Sequence, residues 1–214
     1  MEINWLGHSC FIIKGKAKTV VTDPCPPSLG YPLVKPEADI VTLSHSHPGH
    51  SYIEGIANDP KQIKSPGEYE IGGIFINGIA SFHDNKKGEI KGKNIIFVIE
   101  LNGITLCHLG DLGHQLTPQL IEGIGGIDIL FLPVGEVSTI PIDMAIEMVG
   151  QLNPRIVIPM HYKTDVSTDN LQPVDNFLKK MGIREPQAQP NLMVTKSSLP
   201  DNTQAIILDY PRNL

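Results

Sequence analysis

Short apolar runs rich in β-branched and aromatic residues recur along most of the chain and dominate its pattern. Runs of this kind, separated by glycine, proline, asparagine and aspartate, are typical of β-strands. We therefore predict strands over residues 2–6, 10–14, 19–23, 38–44, 73–82, 94–101, 104–110, 127–134, 155–160 and 204–210.

Helical periodicity is scarcer. Apolar residues at helical spacing predict helices over Ile142 to Gln151 and Val174 to Met181, with a shorter helix near Pro118 to Glu122. Many strands with a few interspersed helices favour an architecture in which helices cover sheets.

Two segments of the chain resemble each other. Residues 11–24, "FIIKGKAKTVVTDP", and residues 97–112, "FVIELNGITLCHLGDL", each read as a hairpin that ends in an aspartate, Asp23 or Asp111. A similar apolar run follows each hairpin. Short apolar strands also match by chance, so the pattern alone leaves both a duplication and a coincidence open. A true duplication would place two similar sheets face to face, with loops from both halves at one edge.

The length of 214 residues suits one large domain over residues 1–214, because such a chain can bury a sizeable core without disulfides. The segments 72–73, 123–126 and 185–191 are rich in glycine, proline or polar residues. We interpret them as turns within that domain and not as linkers between domains.

Charge, the N-terminal sequence and cysteine content limit the possible partners and the expected cellular location. A net charge of −6 without a block of lysines makes nucleic acid an improbable partner. The N-terminus lacks a basic region followed by an apolar stretch, and no apolar run approaches the roughly 20 residues of a spanning helix, so we expect neither export nor membrane insertion. Three widely spaced cysteines without a CxxC motif argue against a disulfide framework and favour the cytoplasm: Cys10, Cys25 and Cys107.

Three histidines fall within six positions of the loop "SHSHPGHS", directly after a predicted strand: His45, His47 and His50. Imidazole nitrogen is a common ligand of Zn²⁺ and similar ions. A single histidine in such a loop is usually a satisfied loop residue, but three so close together favour metal binding.

Three further candidates each follow a strand: His83 in "SFHD", Asp111 in "HLGD" and His161 in "IPMHY". Taken singly, His83 could cap a turn, Asp111 could cap a helix and His161 could hydrogen-bond backbone. Together with the histidine loop they predict one metal site assembled from strand-end loops on a rigid sheet scaffold.

The order of these motifs, with "WLGHSCFII" and "VVTDP" ahead of them, resembles the metallo-β-lactamase superfamily from Met1 to about Asp165. Within it, the chain is similar to small single-domain hydrolases such as ascorbate-6-phosphate lactonase. The resemblance implies an α/β fold, a four-layer αββα sandwich of two facing mixed sheets. It also implies a first metal site of His45, His47 and His83, a second of His50 and His161, Asp111 as the bridging ligand, and Asp23 as an acceptor that orients a ligand histidine.

One position departs from the family's loop, which reads His-x-His-x-Asp-His. Gly49 stands in place of the aspartate, so the second metal loses a carboxylate ligand and we expect that site to be weakened. Asp84, His114 and His8 are the candidate stand-ins. The loop "GDLGH" makes His114 the preferred one, although a surface role is the commoner fate of a loop histidine.

No serine-nucleophile, phosphate-loop or dinucleotide motif is present, so a metal must carry any chemistry. We expect a hydrolase in which metal-bound water or hydroxide, oriented by Asp111, attacks an ester, lactone or phosphodiester of a small molecule. The alternative is a metal-binding protein with weak or no catalysis because of Gly49. Zn²⁺ is the favoured metal, and Mn²⁺, Fe and Ni²⁺ are also compatible with the donor set.

Overall fold

The computed structural model describes residues 1–212, which form two large mixed sheets and one small sheet. The strands are β1 Glu2–Gly7, β2 Cys10–Lys14, β3 Thr19–Thr22, β4 Ile40–Thr42, β5 Lys61–Ile63, β6 Gly67–Ile71, β7 Ile74–Phe82, β8 Lys93–Leu101, β9 Ile104–His108, β10 Ile129–Pro133, β11 Ile156–Met160, β12 Ala188–Gln189, β13 Leu192–Met193, β14 Gln204–Ala205 and β15 Ile207–Leu208. The first sheet has the order β13-β1-β2-β3-β4-β5, and the second has the order β14-β11-β10-β9-β8-β7-β6. The small sheet pairs β12 with β15.

Three α-helices are present in this part of the chain: α1 Pro118–Ile124, α2 Ile142–Leu152 and α3 Asp175–Lys180. All three predicted helices are confirmed, but α1 runs through Gly123, which we expected in a turn, and ends at Gly125 with φ +66°. Thr117 caps its N-terminus by accepting a hydrogen bond from the Leu120 amide. Within residues 1–212 no helix has the length and apolar character needed to cross a membrane.

The predicted strands are present with shifted ends, apart from residues 204–210. That run divides into β14, which pairs with β11, and β15, which pairs with β12. The sequence also gives little sign of the sheet-edge strand β5, whose residues are mostly polar and partly exposed. Segment 185–191, which we expected to be a turn, contains β12. Such short strands depend on their pairing partners more than on their own composition.

The core lies between the two large sheets because their strands alternate apolar residues toward it. On β2, Phe11 and Ile13 join the inter-sheet cluster, whereas Cys10 and Ile12 belong to a second cluster on the other face. The Phe11 ring reaches Phe131 of β10 at a centroid distance of 4.4 Å. The predicted sandwich of two facing mixed sheets is confirmed. The outer face of the first sheet is covered not by an α-helix but by loops and a short 3-10 turn, through Val34, Ala38, Ile53 and Ile56.

The two halves share one topology, as the internal similarity predicts. Strands β1 to β5 and strands β7 to β11 each pair in the sequence antiparallel, antiparallel, parallel, parallel. Asp39 and Asp128 also correspond: each exchanges hydrogen bonds with the backbone of a threonine, Thr19 or Thr105. The carboxyl ends of the parallel strands in both halves therefore meet at one edge of the sandwich.

Candidate metal centre

The predicted ligand residues lie together at this edge. The loop after β4 carries His45, His47 and His50, and the remaining three follow β7, β9 and β11 as His83, Asp111 and His161. Each side chain is thus held by the end of a strand whose apolar residues are fixed in the core. The sheets fix the backbone positions of these residues, and the loops after the strands direct the side chains toward one another.

The buried carboxylate of Asp111, which is 2% exposed, is the focus of the cluster. Its Oδ2 atom lies 3.1 Å from Nε2 of His83 and 3.3 Å from Nε2 of both His50 and His161, and Nε2 of His45 is 3.9 Å away. Burial by itself raises the pKa of the Asp111 carboxyl, but His161 and His50 hold it well below its usual range. Asp111 is therefore an anion placed where it can contact ligands of both predicted metal sites.

Nitrogen and oxygen donors form three groups in the described part of the chain that could hold a metal ion. Two contain only histidines, His45–His47–His83 and His8–His50–His161, and the third is Asp23–His45–His50. The ligand atoms within each group lie within 4.8 Å of one another. Because Zn²⁺ binds imidazole nitrogen at about 2.0–2.1 Å, donors that share one ion lie at most about 4.2 Å apart, so each group is close to the spacing that a shared ion needs. The donor set fits divalent metals.

The protonation state of His45 and His47 also suits metal binding. Ser44 Oγ lies 2.9 Å from Nδ1 of His45, while Nε2 of His45 is buried and has no hydrogen-bond partner within residues 1–212. Burial, with a further effect of His50, lowers the pKa of His45 to about 3, and burial also lowers the pKa of His47. These rings are neutral at physiological pH, which is the form that binds a metal.

Asp23 orients His50 from behind. Its carboxylate is 0% exposed and accepts hydrogen bonds from the Ser44 amide at 2.7 Å, from Ser44 Oγ and from Nδ1 of His50 at 3.0 Å. Burial lowers the pKa of His50, but Asp111 and Asp23 outweigh it and raise that pKa to about 10. Asp23 thus turns Nε2 of His50 toward Asp111, the role that the resemblance implies for it.

The three candidate stand-ins for the missing aspartate differ in their surroundings. Asp84 accepts four backbone N–H groups of its own loop, those of residues 86, 88, 90 and 91. Nε2 of His114 accepts a hydrogen bond from the Phe82 amide, and its Nδ1 lies 2.8 Å from the carbonyl oxygen of Gln115. Of the three, only His8 belongs to a group that could hold a metal ion, among the residues that the structure describes. Both ring nitrogens of His114 contact backbone groups, which agrees with the non-ligand role that we expected to be commoner for a loop histidine.

His8 follows the strand β1, as the predicted ligands follow their strands, so the same strand-end signal in "WLGHS" could have ranked it above His114. Burial, and the proximity of His161, lower the pKa of His8 to about 3. Its ring centroid lies 4.2 Å from that of His161 and 4.6 Å from that of His50.

Two other polar residues near the ligands have structural roles. Nε2 of His108 lies 3.0 Å from the carbonyl oxygen of Ser9 in the core, and burial lowers the pKa of the ring. Lys163, which follows the ligand loop of His161, donates from Nζ to the carbonyl oxygens of Ser167 and Asp169.

A cavity of about 490 Å³ opens over the cluster and is lined by five of the histidines, Asp111, Lys91 and residues of the loops at 137–138 and 169–171. A second cavity of about 920 Å³ lies between the edges of the two sheets and reaches the cluster through His45. Cavities of this size hold small molecules.

Two facing sheets with a histidine-rich cluster around one aspartate at their shared edge define the class of metal-dependent hydrolases with the metallo-β-lactamase fold. Residues 2–161 match the family model of the Beta-lactamase superfamily domain, and the chain belongs to this family.

Relatives agree with that assignment. A protein of Methanoculleus marisnigri named UPF0173 metal-dependent hydrolase is 30% identical over 190 residues, which cover 77% of this chain and 82% of that protein. A crystal structure from Thermotoga maritima, assigned to the Zn-dependent hydrolases of the metallo-β-lactamase superfamily, is 40% identical with a TM-score of 0.81 and covers 98% of this chain and 99% of its own. This chain is a metal-dependent hydrolase.

The fold by itself does not identify the substrate. The isothiocyanate hydrolase from Delia radicum gut bacteria shares it at 13% identity with a TM-score of 0.68, over 90% of this chain and 99% of that one.

Proposed function

We propose that this hydrolase cleaves an ester, lactone or phosphodiester bond of a small molecule, since a metal-bound water can attack the carbonyl or phosphorus centre of each. The metal ligands are His45, His47, His50, His83, Asp111 and His161. The observation that carries the proposal is the convergence of four imidazole Nε2 atoms on Oδ2 of the buried Asp111. Zn²⁺ is the favoured metal because nitrogen donors dominate the set.

A divalent metal, when bound, supplies a nucleophilic water near neutral pH and polarises the bond to be cleaved. Asp111 has a second carboxylate oxygen, Oδ1, that is buried and has no hydrogen-bond partner in the described part of the chain. Its low pKa makes Asp111 a weak base. We therefore assign it the role of accepting a hydrogen bond from the attacking water and orienting it, not of removing the proton completely.

Charge and cavity size support a small, anionic substrate. The 490 Å³ cavity suits a small molecule, and the net charge of −6 disfavours a long polyanion such as RNA. Lys91 lines the same cavity and is held there by donating from Nζ to the carbonyl oxygen of Ser138 at 2.8 Å. Its positive charge beside the ligands favours a phosphate or carboxylate group on the substrate.

Three free cysteines fit a cytoplasmic setting.

The test combines metal replacement with a substrate screen. Protein stripped by a chelator and reloaded with Zn²⁺ is assayed against panels of small esters, lactones and phosphodiesters, with Asp111→Asn as the inactive comparison. We expect hydrolysis in one panel that is lost on chelation, restored by metal and reduced at least about 100-fold in the variant. Loaded protein that is inactive in every panel would instead support a metal-binding protein with weak catalysis.

A further inference from the structure

We propose that His8 takes the place of the aspartate that Gly49 replaces, so that the second metal is held by His8, His50, His161 and Asp111. This assignment rests on the proposed function, because it adds a ligand to the same centre. It changes the expectation for the second site: instead of lacking a ligand, that site has a nitrogen donor from a distant part of the sequence.

The space beside Gly49 is the first observation. A Cβ atom built on Gly49 would lie 3.4 Å from Cε1 and 3.9 Å from Nε2 of His8, and 3.4 Å from Cδ1 of Leu29. A side chain at position 49 would therefore extend directly toward the His8 ring. One of the two positions can supply the ligand, and in this chain the glycine leaves room for the imidazole.

His8 is also held firmly in place. It is 4% exposed, and its backbone adopts φ +53°, a left-handed conformation that few non-glycine residues adopt. Its carbonyl oxygen accepts hydrogen bonds from Nε1 of Trp5 and from the amide of His161, both at 3.0 Å. The second bond ties His8 to the backbone of another residue of the same site, so the two rings are positioned together.

The two ring nitrogens of His8 have different surroundings. Nε2 lies 3.3 Å from Oδ2 of Asp169, and Nδ1 is buried without a hydrogen-bond partner among residues 1–212. A carboxylate that accepts one ring N–H leaves a free lone pair on the other nitrogen, which is how outer carboxylates prepare metal-binding histidines. Asp169 is itself 39% exposed in its side chain, and we assign it this orienting role.

The replacement has a chemical consequence. Each ion would be bound by three imidazoles and the shared carboxylate, because the second site then repeats the composition of the first. Nitrogen-rich sites favour Zn²⁺ and Ni²⁺ over Mn²⁺ and Mg²⁺, which prefer oxygen. Exchanging aspartate for a neutral imidazole also leaves the centre more positive by one charge, which favours anionic substrates.

The test moves the proposed ligand from position 8 to position 49 and measures the number of metal ions bound per chain. His8→Gly removes the imidazole, and glycine accepts the left-handed backbone and keeps the carbonyl group that Trp5 and His161 contact. After dialysis at fixed free Zn²⁺, we expect two ions per chain in the wild type and one in His8→Gly. The second ion should bind at least about 10 to 100-fold more weakly in that variant. The double variant His8→Gly/Gly49→Asp should bind two again.

Controls and a spectroscopic measurement complete the design. His114→Ala should keep both ions, since His114 bonds to backbone. Co²⁺ titration, followed by visible absorption, should show two binding steps in the wild type and one in His8→Gly, with free imidazole restoring the second. If His8→Gly does not fold, His8→Asn is measured, because asparagine also tolerates positive φ.

Two ions retained in a folded His8→Gly variant, or loss of the second ion from Asp169→Asn but not from His8→Gly, would overturn the assignment while leaving the hydrolase proposal intact. A wild type with only one ion would do the same. Wild-type protein that holds no metal would overturn the proposed function as well.

Discussion

Asp23→Asn is the most informative single change next to the predicted metal ligands. Asparagine has the shape of aspartate but places an NH₂ donor where a carboxylate oxygen accepted the proton of His50. The Ser44 amide donates to Oδ1 of Asp23, so an asparagine would keep its oxygen there. Its NH₂ group would then face Nδ1 of His50, which now donates to Oδ2 at 3.0 Å. Two donors cannot face each other, so in the neutral ring that binds a metal Nδ1 must become an acceptor, and the single ring proton is then left on Nε2.

The magnitude follows from the position of that proton. Nε2 of His50 lies 3.3 Å from Asp111 and is the nitrogen with which His50 would bind the metal. Loss of an outer partner of a metal-binding histidine typically costs about 10 to 100-fold in metal affinity, or about 1.4 to 2.7 kcal/mol. We expect this effect at the second site, with the His45–His47–His83 group affected less.

The assay is competition with a chromophoric chelator, which gives the two dissociation constants separately. Asp128→Asn is the matched control, since Asp128 is also buried and accepts a backbone N–H, that of Thr105 at 2.9 Å, but lies before β10 at the other end of the sheet. The control should lower stability and leave both metal affinities unchanged. Wild-type affinity at both sites in a folded Asp23→Asn variant would refute the tautomer reasoning.

Three further changes probe the core, a loop and the cavity. Phe131→Ala should lower the free energy of unfolding by about 3–5 kcal/mol, because its ring fills the space between the sheets against Phe11; a loss below about 1 kcal/mol in urea denaturation would contradict this packing. Asp84→Ala removes the acceptor of four backbone amides, so amide hydrogen exchange in residues 86–91 should accelerate at least about tenfold, and unchanged exchange would show that the loop does not depend on it. Lys91→Met should raise KM for an anionic substrate about tenfold with a smaller change in kcat, whereas equal kinetics would exclude Lys91 from substrate binding.

Much of the fold could be predicted from local sequence pattern. In strands such as β2 and β8 the apolar residues alternate or follow one another so clearly that the observed ends differ from the predicted ends by no more than one residue. The hairpins that end at Asp23 and Asp111 repeat in the sequence and in the strand topology alike. Short edge strands such as β5 were not predictable, because their few, mostly polar residues are ordered by hydrogen bonds to a neighbouring strand.

The sequence by itself determined the ligand candidates of the loop after β4 and at three further strand ends, since each is a metal-binding residue type placed where a rigid strand stops. Only the tertiary structure decided which residue lies against Gly49. His8 and Gly49 are 41 positions apart, whereas His114 lies three after Asp111 and looks nearer in sequence. The hydrogen bond from the His161 amide to the His8 carbonyl joins β1 of the first sheet to β11 of the second, and such contacts between distant segments form only when the sheets pack together.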